Sequence, residues 1–304
     1  MIADSYKYIT SLRGLISETF PYLTGVFEKQ YEKFGSSWAD AFEIELETFF
    51  QADPGVMKDS ARGYGAFCLD SMKLQVKFNK TLEYENKTYE EAANEVYQNR
   101  EYMFGLYLPG ILISHYLWEH HYKQHIFFEK CLVPLICSEG VKKIYDVGVG
   151  TGFYSREFLR VLPKAVGEGF DMSPFSLEHT VGLLKKWGFE GRYRTNLGDI
   201  TRRDSSEKAD LVCSIEVLEH LEDPQGFLHA LANMVKPGGL GFVSAAINAP
   251  NADHIYLYRS YTEVQEQLIS AGFDIVDYCN DEAYAPRRKG ELVPVNAAFI
   301  VRKN

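Results

Sequence analysis

The stretch that decides the fold lies in the middle of the chain and reads Asp146-Val147-Gly148-Val149-Gly150-Thr151-Gly152-Phe153-Tyr154. It follows an apolar run at 141–147 and precedes a helical pattern, so it is predicted to form a strand-to-helix turn. Its glycines let the backbone turn sharply and let a ligand come close. The GxGxG spacing fits neither the dinucleotide-binding pattern GxGxxG nor a Walker loop, because no Gly-Lys-Ser/Thr follows. The acid before the first glycine suits a cation or an amine better than a pyrophosphate.

Short apolar strands alternate with helices from residue 141 onward, which is typical of a wound α/β sheet. Strands are predicted at 141–147, 165–171, 192–196, 211–214, 241–247, 273–278 and 294–301. Helices are predicted to begin near Phe153, Pro174, Pro224 and Glu263. Thr262 is predicted to cap the last helix and Gly272 to end it. The last two strands have no helix between them and should pair antiparallel, because parallel strands need a long crossover.

Residues 1–137 show a helical pattern, with few glycines and no run of alternating β-branched residues. Thr88 and Glu91 form a capping-box pattern, which predicts a helix running to about residue 103. A second long amphipathic stretch covers residues 111–136. We therefore predict an all-helical N-terminal lid domain over residues 1–137 and an α/β domain over residues 138–304.

The composition disfavours several classes of protein. Thirty-two Lys and Arg against 42 Asp and Glu give a formal charge of −10, which is opposite to the basic surface of a nucleic-acid-binding protein. No apolar run approaches the roughly 18 residues of a membrane span, and the first residues lack the pattern of a secretory signal. We therefore expect a cytoplasmic protein that binds neither nucleic acid nor membranes. The sequence does not indicate an oligomeric state.

Four segments that follow the first four predicted strands resemble the cofactor motifs of class I S-adenosylmethionine-dependent methyltransferases. The glycine-rich stretch is similar to the first motif. Asp171 stands where the family's acid takes the ribose hydroxyls, and a carboxylate offers two adjacent acceptors to a vicinal diol. Asp199 and Ile200 resemble the adenine-binding segment, and residues 214–220 are similar to the segment that lines the methionyl part.

The resemblance implies a Rossmann-like methyltransferase sheet, mostly parallel with the last strand antiparallel, and S-adenosylmethionine as the cofactor. The implied cofactor-binding residues are Asp146, Gly148, Gly150, Gly152, Asp171, Met172, Asp199, Ile200, Ser214, Ile215 and Glu216.

The substrate side is predicted from four further residues. His220 is the candidate catalytic residue, because many family members carry a histidine there and a neutral imidazole can remove a proton from an acceptor. The alternative is that His220 only orders the loop after the fourth strand. Asn248 and His254 belong to the loop after the fifth strand, where the family places substrate-facing residues. Tyr107 belongs to the aromatic helices of the first half and is a candidate to contact the substrate or the sulfonium.

A metal site is not expected. His121 and His125 are four residues apart on a predicted helix, a spacing that also occurs in metal sites. No HExxH pattern is present and no third ligand is evident from the sequence.

The predicted function is transfer of a methyl group from S-adenosylmethionine to a small molecule such as a specialised metabolite, an amine or an acid. The sulfonium is already activated, so the protein need only align the acceptor and exclude water. Two alternatives remain open. An aromatic pocket can favour attack within the cofactor itself, which is cyclase or lyase chemistry that releases methylthioadenosine. The chain can also be a non-catalytic subunit that binds the cofactor.

Overall fold

The computed structural model of the chain describes residues 5–51, 54–202 and 207–304. The described strands are β1 (Lys143–Val147), β2 (Val166–Asp171), β3 (Tyr193–Leu197), β4 (Ala209–Ser214), β5 (Val235–Ile247), β6 (Phe273–Glu282) and β7 (Val295–Lys303). They form one sheet in the order β3-β2-β1-β4-β5-β7-β6.

The first five strands pair in parallel: β1 with β2 and β4, β2 with β3, and β4 with β5. Strand β7 lies antiparallel between β5 and β6. Strands β6 and β7 follow each other without a helix, so the chain reverses between them. The predicted fold class, a mostly parallel Rossmann-like sheet whose last strand is antiparallel, with a helical N-terminal region, is confirmed.

The part of the chain before the sheet is helical. Its described helices are α1 (Lys7–Thr19), α2 (Gly25–Phe50), α3 (Pro54–Thr81), α4 (Tyr89–Glu95), α5 (Arg100–Tyr102), α6 (Leu108–Leu117), α7 (Glu119–Phe127) and α8 (Val133–Ser138). Short π-helical turns join α5 to α6 and α7 to α8. No described helix combines the length and the apolar composition needed to cross a membrane. The division into two domains near residue 137 stays a prediction.

The helix predicted after residue 88 is shorter than expected. The capping box is present, since Thr88 Oγ1 accepts from the Glu91 N–H at 3.2 Å and Glu91 Oε2 accepts from the Thr88 N–H at 2.8 Å. Helix α4 nevertheless ends well before residue 103. Asn99 begins the next helix by accepting from the Tyr102 N–H at 3.0 Å, so a second cap competes with continuation of the first helix.

The amphipathic stretch 111–136 is not one helix. Trp118 is extended, with φ −96° and ψ 123°. This break leaves the Tyr116 carbonyl without a helical partner, and two side chains of α2 bond to it instead: Gln30 Nε2 at 2.6 Å and Trp38 Nε1 at 2.8 Å. The buried carbonyl is thereby satisfied, as buried backbone groups must be.

Four helices alternate with the strands of the sheet. They are α9 (Phe153–Val161), α10 (Pro174–Lys186), α11 (Pro224–Met234) and α12 (Tyr261–Ser270). Ser260 rather than Thr262 occupies the cap position of α12, and its side chain makes no capping bond. Gly272 ends this helix with φ +88°, as predicted. Strand β5 begins before residue 241 because Val235 already pairs with Ala209.

The helical part and the sheet share one hydrophobic cluster. The rings of Phe42 and Tyr116 stack 4.7 Å apart, and Tyr116 meets Phe153 of α9 edge to face at 5.9 Å. Beside them, the buried Arg156 of α9 pairs with Glu45 of α2 at 2.6 Å. The helices are therefore joined to the sheet layer through apolar packing and a buried ion pair.

Candidate active site

A cavity of about 940 Å³ lies between the helical part and the carboxyl ends of the parallel strands. Residues that follow β1 to β5 line one side, and residues of α3, α6 and α7 line the other. Open α/β sheets bind ligands at this edge. The volume lies within the range of pockets that enclose small-molecule ligands and cofactors.

The glycine-rich loop after β1 has left-handed backbone at Gly148, Gly150 and Gly152, with φ of +76°, +52° and +80°. A Cβ on Gly148 would lie 2.3 Å from Val217 Cγ2, and one on Gly152 would lie 2.8 Å from Thr180 Cγ2. Gly148 and Gly150 line the cavity, whereas Gly152 does not. Gly152 therefore serves the packing of α9 against α10, and its position gives no support to the predicted cofactor contact.

Two carboxylates lie at the ends of β1 and β2: that of Asp146 is buried and that of Asp171 is partly buried. Asp171 accepts hydrogen bonds from the N–H groups of Gly150 at 3.2 Å and Ser173 at 2.8 Å. Burial raises the pKa of Asp171 to about 6. Asp146 accepts from the Ser155 hydroxyl, and burial raises its pKa to about 7. Both line the cavity, and each carboxylate has further lone pairs for ligand donors.

The segments after β2 and β3 also reach the cavity. Asp199 Oδ1 accepts from the N–H and the hydroxyl of Thr201 at 2.8 and 2.7 Å. Ile200 beside it is buried, and Met172 is about half exposed. Asp199, Ile200 and Met172 all line the cavity. The structure thus brings a carboxylate and an apolar side chain together, as a purine-binding segment requires.

The turn after β4 is strained. Glu216 has φ +54°, a conformation that few residues other than glycine adopt. Ser244 of β5 holds it: the Glu216 N–H donates to the Ser244 hydroxyl at 3.1 Å, and Glu216 Oε1 accepts from that hydroxyl at 2.8 Å. Ile215 and Glu216 line the cavity, whereas Ser214 is buried behind it. Backbone strain of this kind clusters at ligand sites.

A second polar cluster lies at the loops that follow β4 and β5. Asp253 Oδ2 accepts from the hydroxyls of Tyr97 at 2.7 Å and Tyr107 at 2.8 Å. The same oxygen lies 3.3 Å from His220 Nδ1. The ring of His254 meets that of His220 edge to face at 4.7 Å. Both tyrosines and both histidines line the cavity, and Asp253 lies behind them.

The charges in this cluster are set by burial and by the contacts. Burial raises the pKa of Asp253, but His220, His254 and the two tyrosine hydroxyls outweigh burial and lower it below its usual value. Burial lowers the pKa of His254 to about 3. An ionised Asp253 favours the proton of His220 on Nδ1, which leaves Nε2 as an acceptor. The cluster therefore provides a carboxylate-oriented imidazole.

Sequence reasoning named three members of this cluster, His220, His254 and Tyr107, and missed Asp253 and Tyr97. The position of Asp253 next to His254 was the available signal for the acid. Tyr97 gave none, because its contact with Asp253 spans 156 residues.

Asn248, predicted to contact the substrate, is buried with φ +51° and does not line the cavity. It shapes the start of the loop that carries His254, and its predicted contact with a substrate has no support in its position.

Residues 145–240 match the family model described as "Methyltransferase domain". The ubiquinone biosynthesis O-methyltransferase of Shewanella sp. (strain ANA-3) is 37% identical over 103 residues, which are 34% of this chain and 43% of that protein. The protein of the same name from Stutzerimonas stutzeri (strain A1501) is 32% identical over 111 residues, which are 36% of this chain and 47% of that protein. Residues 145–240 of this chain are therefore similar to a methyltransferase domain.

The similarity is confined to part of each protein. The chain spans less than half the length of these two curated relatives. Among solved structures, N-methyltransferase NodS from Bradyrhizobium japonicum WM9, in complex with S-adenosyl-L-homocysteine, has 18% identity and a TM-score of 0.48, and the match covers 61% of this chain and 88% of that chain. The match to the methyltransferase family contains Asp146, Asp171 and Asp199, but neither the helical part nor His254.

The cofactor of class I methyltransferase domains is S-adenosylmethionine, and the residues of the cavity fit it. Each oxygen of Asp171 is held by one backbone N–H, which leaves lone pairs for two ribose hydroxyls. Asp199 and Ile200 suit an adenine amine and ring. The carboxylates of Asp146 and Glu216 suit the ammonium of the methionyl part.

Opposite the methyltransferase domain, the wall of the cavity is aromatic. Phe67 stacks on Trp118 at 5.4 Å and Trp118 on His120 at 5.6 Å. His115 of this wall stacks at 4.1 Å on Phe153, which belongs to the methyltransferase domain. Burial lowers the pKa of His115 and His120 well below its usual value. Among the described residues, neither Nδ1 atom has a hydrogen-bond partner. This aromatic wall suits a planar group with hydrogen-bonding substituents.

His121 and His125 do not act as a pair. His121 Nδ1 lies 3.0 Å from the Ser114 hydroxyl. His125 Nε2 lies 3.3 Å from Glu157 Oε2, and Glu157 also pairs with Arg156 at 2.6 Å. The two histidines thus have different partners, and the acid beside His125 is already neutralised.

Proposed function

We propose that this chain is an enzyme that transfers a methyl group from S-adenosylmethionine to an oxygen atom of a small aromatic molecule. One observation carries the proposal: the imidazole of His220, oriented by Asp253, lines the same cavity as Asp146, Asp171 and Asp199. The names of the curated relatives support transfer to oxygen. The formal charge of −10 argues against a nucleic-acid acceptor.

The cofactor end of the cavity is formed by the methyltransferase domain. When bound, the cofactor supplies a methyl group already activated by the sulfonium. We assign Asp171 to the ribose, Asp199 and Ile200 to the adenine, and the segment around Glu216 to the methionyl part. The left-handed loop at Gly148 and Gly150 lets backbone rather than side chain lie against the ligand.

The acceptor end is formed by the second polar cluster, which we call the Asp253 cluster. It consists of Tyr97, Tyr107, His220, Asp253 and His254. His220 accepts the proton of the acceptor hydroxyl at Nε2 while the oxygen takes the methyl group. Asp253 stabilises the imidazolium that results, as a buried carboxylate on Nδ1 does in other acid–base pairs. Tyr97 and Tyr107 hold Asp253 in place with their hydroxyls.

The aromatic wall, with Phe67, Trp118 and His120, aligns the acceptor ring and excludes water. Such alignment is the main contribution that a protein makes to a displacement on an activated methyl group. A phenolic acceptor fits this wall better than an aliphatic amine, because the stacked rings offer flat apolar surface and uncharged polar atoms.

The test is incubation of the enzyme with S-adenosylmethionine and a panel of phenols, catechols, amines and carboxylic acids, with the nucleoside products resolved by mass. We expect S-adenosylhomocysteine with phenolic acceptors and little turnover without an acceptor. Rapid release of methylthioadenosine from the cofactor alone would replace this proposal with a cyclase or lyase. Cofactor binding without turnover of any acceptor would favour a non-catalytic role.

A variant tests the role of His220. His220→Asn should lower turnover about 100-fold or more, the usual contribution of a general base, with little change in cofactor affinity. His229→Asn is the matched control, because His229 is exposed on α11. Unchanged turnover in His220→Asn would mean that the residue only orders its loop.

A further inference from the structure

Three potential metal ligands meet at the acceptor end of the cavity. One ligand atom each of Glu219, His220 and His254 lies within 4.8 Å of the other two. His220 Nε2 lies 3.9 Å from Glu219 Oε1. All three residues line the cavity, so an ion held by them would be open to a bound acceptor.

The hydrogen bonds of both histidines leave the same nitrogen free. His220 Nδ1 lies next to the carboxylate of Asp253 and 2.9 Å from the Tyr97 hydroxyl. His254 Nδ1 lies 2.5 Å from the Ala249 carbonyl. A carbonyl or carboxylate partner places the proton on Nδ1, and Nε2 then carries a lone pair. Metal-binding histidines are oriented in this way by their outer partners.

The carboxylate of Glu219 has no Lys or Arg beside it among the described residues. The side chain is completely buried, and its polar neighbours are the carboxyl of Glu216 and the N–H of Ala246. Its loop is held in place by the backbone carbonyl, which accepts from the N–H groups of Ile255 at 2.7 Å and Tyr256 at 2.9 Å. A buried carboxylate in this state requires a proton or a cation.

We propose that Glu219, His220 and His254 bind one divalent transition-metal ion, such as Zn²⁺, Co²⁺ or Mn²⁺. Two histidines and one carboxylate are a donor set that these ions accept, with at least one coordination position left open. Donor atoms around Zn²⁺ lie about 3.4 Å apart for bonds of about 2.1 Å, so the three side chains must close on the ion by a rotamer adjustment. This departs from the expectation of no metal, which considered only His121 and His125.

We do not propose a metal site at the second cluster of potential ligands. His125, Glu129 and Glu157 also lie close together, but Arg156 and Arg160 pair with Glu157. The charge of that carboxylate is already balanced. Glu219 differs because no described cation balances it.

The inference deepens the proposed function and rests on it for the role of the ion. An ion at this place would hold the acceptor oxygen in its open position and make the hydroxyl more acidic. With the ion bound, His220 Nε2 would be a ligand, and the acceptor would lose its proton to solvent before the methyl transfer. The inference therefore keeps the transfer to oxygen and replaces the base role proposed above for His220. Acceptors with two adjacent oxygens would gain most, because both can reach the ion.

The experiment is titration of the chelator-treated full chain with Co²⁺, followed by visible absorption, and with Zn²⁺ by calorimetry. We expect one equivalent of Co²⁺ to bind and give d–d absorption bands. Glu219→Gln and His254→Gln should each weaken Zn²⁺ binding at least about 100-fold. This exceeds the usual effect of removing a residue that only hydrogen-bonds to a metal ligand. The matched controls are Glu266→Gln and His229→Gln, at exposed positions.

Binding of S-adenosylmethionine is measured in the same samples, and it reports whether each variant is folded. A wild-type chain that binds the cofactor but no stoichiometric ion overturns the metal site and leaves the methyltransferase proposal intact. Equal ion affinity in the wild type and in both ligand variants also overturns it, because the ion then binds elsewhere. A chain that binds the ion as expected but not the cofactor supports the site and refutes the proposed function instead.

Discussion

The two ends of the cavity are built in different ways. At the cofactor end, Asp171 and Asp199 are held by groups that lie close in sequence or in the adjoining loop, such as Gly150, Ser173 and Thr201. At the acceptor end, the hydroxyl of Tyr97 reaches Asp253 across 156 residues. The cofactor end therefore depends on the sheet and its loops, whereas the acceptor end exists only when the helical part is packed on the sheet.

This difference implies that cofactor binding and methyl transfer to the acceptor can be disturbed separately. A change in the helical part should disturb the orientation of His220 before it disturbs the acids of the methyltransferase domain. A change at the carboxyl ends of the strands should weaken the cofactor and leave the Asp253 cluster in place. The four experiments below test this separation.

The largest effect is expected from Arg156→Met, which breaks the buried connection between α2 and α9. Removing one partner of a buried ion pair costs about 3–5 kcal/mol. Here Glu45 would lose its cation, whereas Glu157 would keep Arg160. Urea denaturation measures the loss. The control Arg13→Met removes a half-exposed pair with Glu28 and should cost at most about 1 kcal/mol. Equal losses in the two variants would show that the buried pair does not join the two layers.

The next effect is expected from Asp171→Ala at the cofactor end. Two charge-assisted hydrogen bonds to the ribose contribute at least about 1.5 kcal/mol each, so cofactor affinity should fall about 100-fold or more. Calorimetric titration measures it, with Asp274→Ala at an exposed position of β6 as the control. Wild-type affinity in Asp171→Ala would remove this acid from the ribose site.

A smaller effect is expected from Tyr107→Phe at the acceptor end. The variant removes one of the two hydroxyls that hold Asp253, a loss of about 1.5 kcal/mol. We expect kcat to fall about tenfold while KM for the cofactor is unchanged, because Tyr107 acts through Asp253 and His220. Tyr102→Phe is the control, since the Tyr102 hydroxyl is not among the described donors to Asp253. A fall in cofactor affinity instead of kcat would contradict the separation of the two ends.

The smallest effect is the pH dependence of the Asp171 contribution. Burial raises the pKa of this carboxyl to about 6, and the ribose hydroxyls bind the ionised form. The advantage of the wild type over Asp171→Asn in cofactor affinity should be constant well above pH 6, shrink about twofold at pH 6 and continue to shrink below it. A constant ratio down to pH 5 would show that Asp171 stays ionised or does not bind the ribose.

The same difference explains what the sequence could predict. Asp146 and Asp171 stand at the ends of β1 and β2, and Asp199 follows β3 closely. The ends of parallel strands meet at one edge of the sheet, so residue order was enough to bring the three acids together. Gly152 lies against Thr180 and does not line the cavity, so its cofactor contact stays a prediction. A glycine pattern does not say which neighbour requires the glycine.

The sequence predicted only some of the residues at the acceptor end. The helix break at Trp118 depends on Gln30 and Trp38, which lie 86 and 78 residues from the Tyr116 carbonyl they satisfy. Glu219 belongs to the segment 214–220 that resembles a cofactor motif, and only the structure shows that its carboxylate is buried with no Lys or Arg beside it among the described residues. Such features arise from contacts between distant segments, which periodicity and spacing do not encode.

The two tyrosine hydroxyls on Asp253 also make the chemistry conditional on local stability. Proteins open locally at a lower free energy than they unfold. When the segment carrying Tyr97 and Tyr107 opens, Asp253 loses both donors and the imidazole of His220 loses its fixed orientation, while the strands that carry the cofactor acids stay paired. The opened form can hold the cofactor without a working acceptor site, so such fluctuations should interrupt turnover while cofactor binding persists.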